Sequence, residues 1–292
     1  MNKMTRRRRT LNEALRWASL FLQQHKREPK VAEILLQHHT GLARADFLAS
    51  LRDSLTCEAD EQFIKDIEAH AATGVPIQHL MGKESFYGRD FSVNRHVLIP
   101  RPETEELVAG VLDYLSAFDV NRPITLVDVG TGSGIIAVTL KCEQPAAEVI
   151  AADISAEALA VAEHNAKQHG SEIAFLQGDF LQPLIDRQIS VDVLVSNPPY
   201  IPYQDKETLS DTVKNYDPGL ALFADQEGLA AYDKILRQAG QVLNKPGLIA
   251  FEIGHQQGDR VSRLIRSQFP ASEIEVRKDI NGKDRMVFVQ AK

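Results

Sequence analysis

A chain of 292 residues is too long for one small domain and suits one large domain with a smaller companion. Hydrophobic residues at 43% and charged residues at 25% are the balance of a protein that buries a real core. A formal charge of −7 excludes a surface coated in Lys and Arg to grip a nucleic-acid backbone. No stretch approaches the ~18 uninterrupted apolar residues of a membrane span. Cys57 and Cys142 lie far apart, without CxxC or Cys/His spacing, which fits a reducing compartment and no zinc site or disulfide framework. The N-terminus lacks an apolar run followed by a cleavage site, so the expectation is a cytoplasmic protein. The basic run at residues 6–9 reads as a solvated tail, with a ribosome or RNA contact as the alternative.

From residue 10 to about residue 74 the pattern is helical. Leu11, Leu15, Ala18 and Leu22, then Ala32, Leu35 and Leu36, recur at helical spacing. Pro29 can open the second helix and Gly41 can close it. A third helix is expected near 44–51, and a fourth over 58–72 ends at Gly74. Residues 1–75 therefore read as a small helical bundle without a catalytic constellation, suited to holding a partner. Residues 76–100 read as a β-hairpin linker, because Phe86, Tyr87, Phe91, Val93, Val97 and Ile99 lie among Gly82, Gly88 and Asn94.

Residues 101–292 alternate strand and helix after a helix from Glu103 to about Phe118. Strands are expected at 124–129, 148–152, 172–176, 191–196 and 248–253, and helices at 135–143, 156–169, 229–242 and 256–268. Two last strands fall near 274–277 and 286–290. This alternation predicts a parallel sheet with helices on both faces.

Val127-Asp128-Val129-Gly130-Thr131-Gly132-Ser133-Gly134 ends a buried strand and opens a helix. Glycines there let the backbone turn sharply and approach a ligand, while the helix N-terminus offers unpaired N–H groups. Asp153 ends the next strand, where a carboxylate can accept from ribose hydroxyls. The alternative is a glycine turn that merely packs strand against helix. The loop, with Asp128 before it, resembles the S-adenosylmethionine loop of class I methyltransferases. An acid beside the loop suits a ligand carrying an ammonium and a sulfonium. Gly178-Asp179-Phe180 follows the third strand; the Phe180 ring can lie against adenine while Asp179 accepts from its amine.

Asn197-Pro198-Pro199-Tyr200 follows the apolar strand at 191–196. Two prolines fix the backbone, remove two N–H donors and leave carbonyls outward. A planar NH2 acceptor needs hydrogen-bond acceptors to hold its nitrogen in line with a methyl donor. The Asn197 side-chain oxygen and the Pro198 carbonyl are the two candidates, and Tyr200 can pack over the planar group. The tetrapeptide resembles the motif shared by adenine-N6 DNA methyltransferases and protein-glutamine methyltransferases.

Further stretches carry a family resemblance. They are Gly74 to Leu80, Gly82, Phe86-Tyr87-Gly88, Leu98 to Glu105, Tyr216-Asp217-Pro218 with Ala221-Leu222, Glu252-Ile253-Gly254, and Asp279 with Gly282 to Arg285. With the two loops, the chain from about Leu11 onward resembles the HemK/PrmC family of protein-glutamine N5-methyltransferases. The resemblance implies a class I (Rossmann-like) methyltransferase domain with a mixed, mainly parallel sheet, preceded by the helical bundle and hairpin linker. It implies methylation of the glutamine in the Gly-Gly-Gln motif of peptide chain release factors, with S-adenosylmethionine converted to S-adenosylhomocysteine. By position it puts cofactor residues at Gly130, Thr131, Gly132, Ser133, Gly134, Asp153, Phe180 and Asn197. Glutamine-binding residues fall on Asn197, Pro198, Pro199 and Tyr200, with Asn197, Pro198 and Tyr200 as the catalytic set. In that family the helical N-terminal part engages the release factor.

Two departures stand out: Asp217 where the family usually has Glu, and Val31 where Asp is frequent. Arg101 and Glu103 either line the site or pair with one another, and Glu252 at a strand end is either structural or part of the site. The nine histidines show no metal spacing, and His79 and His96 read as structural or solvent-facing. The rival readings are a glutamine methyltransferase acting on a ribosomal protein, an adenine-N6 nucleic-acid methyltransferase, and a catalytically silent binding protein. The acidic charge argues against stable nucleic-acid binding. A monomer is expected, since no coiled coil or open edge strand is apparent.

Overall fold

In the computed structural model, which describes residues 8–116 and 122–292, the first helix starts where the sequence supplies a cap. Thr10 accepts from the Glu13 N–H at 3.2 Å, and Glu13 accepts from the Thr10 N–H at 2.8 Å. Helix α1, Leu11–Gln24, then buries Leu11, Ala14, Ala18 and Leu22 along one stripe. Helix α2, Lys30–Thr40, stops at Gly41, whose φ of 65° is left-handed. Short α3, Arg44–Ala49, and long α4, Cys57–Thr73, complete a core that holds Phe47, Phe63 and Ile67. Val31 is part of that apolar core. A fifth helix, α5 at Ile77–Met81, falls inside the expected linker; its Ile77, Leu80 and Met81 pack on the bundle core. Five residues between Pro76 and Gly82 are too few to show a helical period. Helices α1–α5 form one unit, Met1–Gly82, and the remainder forms a second, Lys83–Lys292. The expected linker is thus divided: α5 goes with the first unit and the hairpin with the second.

The second unit opens with strands β1, Lys83–Phe86, and β2, Arg89–Ser92, joined by Tyr87 and Gly88. Both turn residues have positive φ, 50° and 74°, the backbone that a two-residue hairpin requires. Helix α6, Pro102–Ser116, follows. The end expected at Phe118, like Arg6 and Arg7 of the basic run, lies outside the described residues. Then come β3 (Thr125–Val129), α7 (Ile135–Glu143), β4 (Glu148–Asp153), α8 (Ala156–Gln168), β5 (Ile173–Gln177), α9 (Gln182–Asp186) and β6 (Val191–Ser196). Between β6 and the next long helix lie short pieces that no periodicity announced. These are β7 (Ile201–Pro202), a 3₁₀ turn (Tyr203–Thr208), α10 (Asp211–Tyr216), α11 (Gly219–Leu222), β8 (Phe223–Ala224) and α12 (Asp225–Gly228). Helix α13 (Ala230–Val242), β9 (Leu243–Glu252), α14 (Gly258–Gln268), β10 (Glu273–Lys278) and β11 (Asp284–Ala291) close the chain. Strand β9 starts earlier than the expected 248. It runs through Lys245-Pro246-Gly247, and Leu243 pairs with Val191 across a register shift.

Seven strands form one sheet in the order β10-β11-β9-β6-β3-β4-β5. Neighbouring pairs from β9 through β5 are parallel, while β11 runs antiparallel to both its neighbours. All six residues of β6 are buried, as befits a central parallel strand covered on both faces. One face packs on α6, α7, α8 and the hairpin phenylalanines Phe86 and Phe91; the other packs on α9, α13 and α14. The chain builds β3, β4 and β5 outward, then returns to place β6 on the other side of β3. That reversal opens a crevice beyond the carboxyl ends of β3 and β6. Asn165 of α8, fully buried, ties the hairpin to this edge. Its amide donates to the Ser92 carbonyl at 3.0 Å and the Ser133 carbonyl at 2.8 Å, and accepts from the Ser92 N–H at 2.8 Å.

Gly110 lets α6 approach the sheet. A methyl group there would lie 2.2 Å from Cζ of Phe288, itself held by Tyr114 and the Arg277 guanidinium. Gly110→Ala therefore lowers stability by about 1–3 kcal/mol of overpacking, less the up to ~1 kcal/mol of helix propensity gained. Urea unfolding checks this, and a stabilised variant refutes the close approach.

Candidate active site

Residues from five strand ends meet in the crevice. After β3, Gly130, Gly132 and Gly134 all have positive φ, 71°, 56° and 81°. Their surroundings differ. A Cβ on Gly134 would lie 3.0 Å from Ala162 Cβ, so that glycine lets α7 and α8 approach. At Gly130 and Gly132 a Cβ would meet nothing within 4 Å, so their bare faces remain open to a ligand.

Asp128 holds this loop from within. It is fully buried, and its Oδ2 accepts from the Thr131 hydroxyl at 2.6 Å and the Ala137 N–H at 3.2 Å. Its Oδ1 has no hydrogen-bond partner, and burial pushes the carboxyl up to about 7. Asp128 is therefore a brace and does not line the cavity, unlike the acid expected beside a cationic ligand. Asp153 supports the loop from the next strand. Its Oδ2 accepts from the Gly132 N–H and its Oδ1 from the Ser155 N–H, both at 2.9 Å. Each carboxylate oxygen keeps a second lone pair for a ligand hydroxyl. Phe180 after β5 adopts a φ of 52°, which few non-glycine residues adopt, and its ring lies 5.9 Å from the Lys234 ammonium. Asp179 pairs with that same Lys234, so a ligand amine would have to share it.

After β6, Asn197 and Pro199 line the cavity, Pro198 is buried, and Tyr200 turns its hydroxyl to Glu252 Oε1 at 3.4 Å. The Asn197 amide nitrogen lies 3.4 Å from the Thr104 hydroxyl, which donates to Glu252 Oε2 at 2.6 Å. Glu252 ends β9 at 2% exposure, and burial pushes its carboxyl up to about 7. Burial also raises the Tyr200 phenol, with the Glu252 charge adding to the effect.

The cavity measures about 610 Å³, within the usual range for a small-molecule site. Gly130, Thr131, Gly132, Ser133, Asp153, Phe180 and Asn197 all line it; Gly134, facing α8, does not. Other walls come from residues 95–101 and from Pro218, Leu220 and Phe223. Arg101 lines the cavity and pairs with Asp217 at 2.8 Å, rather than with Glu103. Exposed His96 also lines it. The sequence left three contributors without an assigned role. Thr104 sits in a helix start that looks like ordinary capping chemistry, and Tyr203 and Phe223 belong to short elements without a period. Their roles follow from partners far along the chain.

A mainly parallel seven-stranded sheet, with a glycine cradle at its switch point and Asn-Pro-Pro-Tyr after its fourth parallel strand, defines a class I methyltransferase. Residues 109–215 match the methyltransferase small domain model, and residues 13–82 match the PrmC N-terminal domain model. The release factor glutamine methyltransferase of Bacillus subtilis is 45% identical over 280 residues, 96% of this chain and 97% of that protein. The enzyme of the same name from Bacillus cereus is 44% identical over 278 residues, covering 95% and 98%, and that of Staphylococcus aureus 43% over 265, covering 91% and 93%. The chain belongs to the release factor glutamine methyltransferase (HemK/PrmC) family. Among solved structures, the hMettl16 catalytic domain in complex with MAT2A 3'UTR hairpin 6 superposes with a TM-score of 0.55 at 14% identity, over 81% of this chain and 83% of that one. At that identity it speaks for the fold alone.

The brace role of Asp128 has two measurable consequences. Asp128→Ala strips acceptors from the Thr131 hydroxyl and the Ala137 N–H and lowers stability by roughly 1–3 kcal/mol. The carboxyl is raised above its unfolded value, so its contribution is fully present below about pH 4 and is lost as pH rises through about 7. Asp128→Asn removes that dependence. The difference between wild-type and variant unfolding free energies should therefore slope across this window, and a flat difference contradicts the buried, raised carboxyl.

Proposed function

We propose that this protein transfers a methyl group from S-adenosylmethionine to the side-chain amide nitrogen (N5) of the glutamine in the Gly-Gly-Gln motif of peptide chain release factors. The observation that carries this reading is that the glycine cradle and Asn197 of the Asn-Pro-Pro-Tyr loop line one cavity. The extensive likeness to curated release factor glutamine methyltransferases supports the substrate.

The residues present fit the cofactor. Bare glycine faces at Gly130 and Gly132 admit close backbone approach, Asp153 keeps lone pairs for ribose hydroxyls, and the Phe180 ring can lie along adenine. When bound, S-adenosylmethionine supplies an electrophilic methyl group on a sulfonium.

What the chain adds is orientation. An amide NH2 group can only donate hydrogen bonds, so the surface that holds it must accept. Asn197 Oδ1 and the Pro198 carbonyl are the two acceptors in this scheme, and neither Pro198 nor Pro199 has an N–H to compete. Held this way, the nitrogen presents its face to the methyl group. No strong base is required, because an N-alkylated, protonated amide gives its proton to water. Tyr200, whose phenol burial raises above its ordinary value, flanks the loop from the Glu252 side. The helical unit, matched by the PrmC N-terminal domain model, is the element we assign to engaging the release factor.

The test is a transfer assay with labelled S-adenosylmethionine, a purified release factor, and a variant of that factor with its Gly-Gly-Gln glutamine replaced. Label is expected on the intact factor alone. Label on both places the modification elsewhere, and label on neither overturns the substrate. Asn197→Ala should leave cofactor binding largely present and lose transfer by about 10²-fold or more, as expected when an acceptor loses its alignment; an active variant removes the assigned role. Asp153→Ala should weaken cofactor binding by roughly 1.5–3 kcal/mol in calorimetry, the scale of a charged hydrogen bond.

A further inference from the structure

The side-chain amide of Asn197 has two ends, and only one of them serves the proposed chemistry. With Oδ1 toward the substrate it accepts an N–H; rotated by a half-turn it sets NH2 against NH2, and the acceptor is repelled. Something must choose between these two orientations, and the chemistry of its neighbours does so.

Thr104, at 1% exposure, has a single hydroxyl proton. Glu252 Oε2 lies 2.6 Å from that hydroxyl, and a carboxylate can only accept, so the proton is committed to Glu252. The Thr104 oxygen is then left as an acceptor toward Asn197. Asn197 must turn its NH2 to Thr104, at 3.4 Å, which sends Oδ1 the other way. The separation is at the long end for a hydrogen bond. The second carboxylate oxygen of Glu252 is held by the Tyr200 hydroxyl, and the Tyr232 hydroxyl donates to the Glu252 backbone carbonyl at 2.9 Å. The carboxylate is therefore held from α6 and from the loop after β6, while α13 fixes the main chain that carries it.

We propose that Glu252 and Thr104 are positioning residues, which fix the Asn197 side chain with its carbonyl oxygen toward the glutamine amide. This rests on the reading of Asn197 as the amide's acceptor. Glu252 does not line the cavity and Thr104 borders it; both act by removing the wrong rotamer of Asn197.

A charge dependence follows. The groups that face Glu252 are Glu103 and Thr104 on α6, Arg285 on β11, Tyr200 after β6 and Tyr232 on α13. Arg285 is paired in turn with Asp279, and burial is the dominant influence on the carboxyl. Once protonated, Glu252 can donate to the Thr104 oxygen. The Thr104 proton is then free to point at Asn197, and the inverted amide is no longer excluded. Transfer should fall as pH drops through about 7, the value to which burial raises this carboxyl.

The experiment compares single-turnover transfer by wild type, Thr104→Val, Thr104→Ser, Glu252→Gln and Asn197→Ala on the same release factor between pH 5.5 and 8.5 (a range spanning the roughly neutral carboxyl). Cofactor affinity and thermal melting are measured alongside. Thr104→Val, close in shape but without the hydroxyl, is expected to lower the transfer rate by about 10²-fold with cofactor affinity near wild type. It should also lose the acid limb, because Asn197 is cut off from the titrating group. Thr104→Ser should restore most of the rate and the limb. Glu252→Gln, which reports on the relay should Thr104→Val fold poorly, should lower the rate and flatten the same limb. Wild-type rates for Thr104→Val, with Asn197→Ala inactive, overturn the proposal and leave the assigned reaction intact. A Thr104→Ser variant as slow as Thr104→Val overturns it too, since the hydroxyl would then be irrelevant. Full activity in Asn197→Ala removes the acceptor assignment and the proposal with it.

Discussion

The open glycine faces of this enzyme depend on one buried carboxylate. A loop that must present bare backbone to a ligand cannot hold itself in place, because glycines bring maximal freedom and no side-chain contacts. Asp128 takes up that work from beneath, gripping Thr131 and the first turn of α7 through a single oxygen. Asp153 grips the Gly132 N–H from the neighbouring strand, and Asn165 grips the Ser133 carbonyl from α8. Three side chains thus fix three successive parts of the loop. Asn165 also fixes the hairpin, so β1 and β2 and the cradle share one anchor.

Much of this architecture was legible in the sequence, for a physical reason. Strand β6 and helix α7 coincide with expectation because each is a continuous apolar or amphipathic run bounded by loop chemistry. Helix α4 ends at Gly74 because only a residue tolerant of φ near 74° can terminate it there without strain. What stayed illegible is whatever lies in pairings between distant residues. Asp128 is an acid beside a glycine loop, and sequence alone places it next to the ligand. Its actual neighbours, the Thr131 hydroxyl and the Ala137 N–H, show that it points into the protein. Arg101 and Glu103 invited pairing by proximity, whereas Arg101 reaches Asp217 and Glu103 bears on Glu252. The stretch 201–228 was missed because its elements are two to six residues long, too short for a helical period to repeat.

Two buried acids at the same sheet edge impose opposed demands. Asp128 and Glu252 both have carboxyls raised to about 7, so each costs stability when it ionises at neutral pH. A hydrophobic residue at either position would remove that titration but would strip the Thr131 or the Thr104 hydroxyl of its acceptor. Each acid therefore holds groups at the site edge at the expense of a pH-dependent part of the stability. For Asp128 those groups belong to the cradle; for Glu252 they set the inferred orientation of Asn197. Sites that hold reacting groups in place commonly cost their proteins stability.

In the proposed reaction the acceptor side of the cavity, Asn197 and the Pro198 carbonyl, does no acid–base work on the amide. The amide nitrogen is a weak nucleophile whose lone pair is delocalised, and a nearby base would find no proton worth removing before transfer. What helps is a fixed direction for the nitrogen, supplied by acceptors that do not themselves move. Two prolines stiffen the main chain, and Thr104 with Glu252 is proposed to hold the one side chain that is free to turn over. Catalytic power in such a site lies in rotamers excluded before the substrate arrives, and an excluded rotamer is invisible in a sequence motif. The motif names Asn197; only its neighbours say which way it faces.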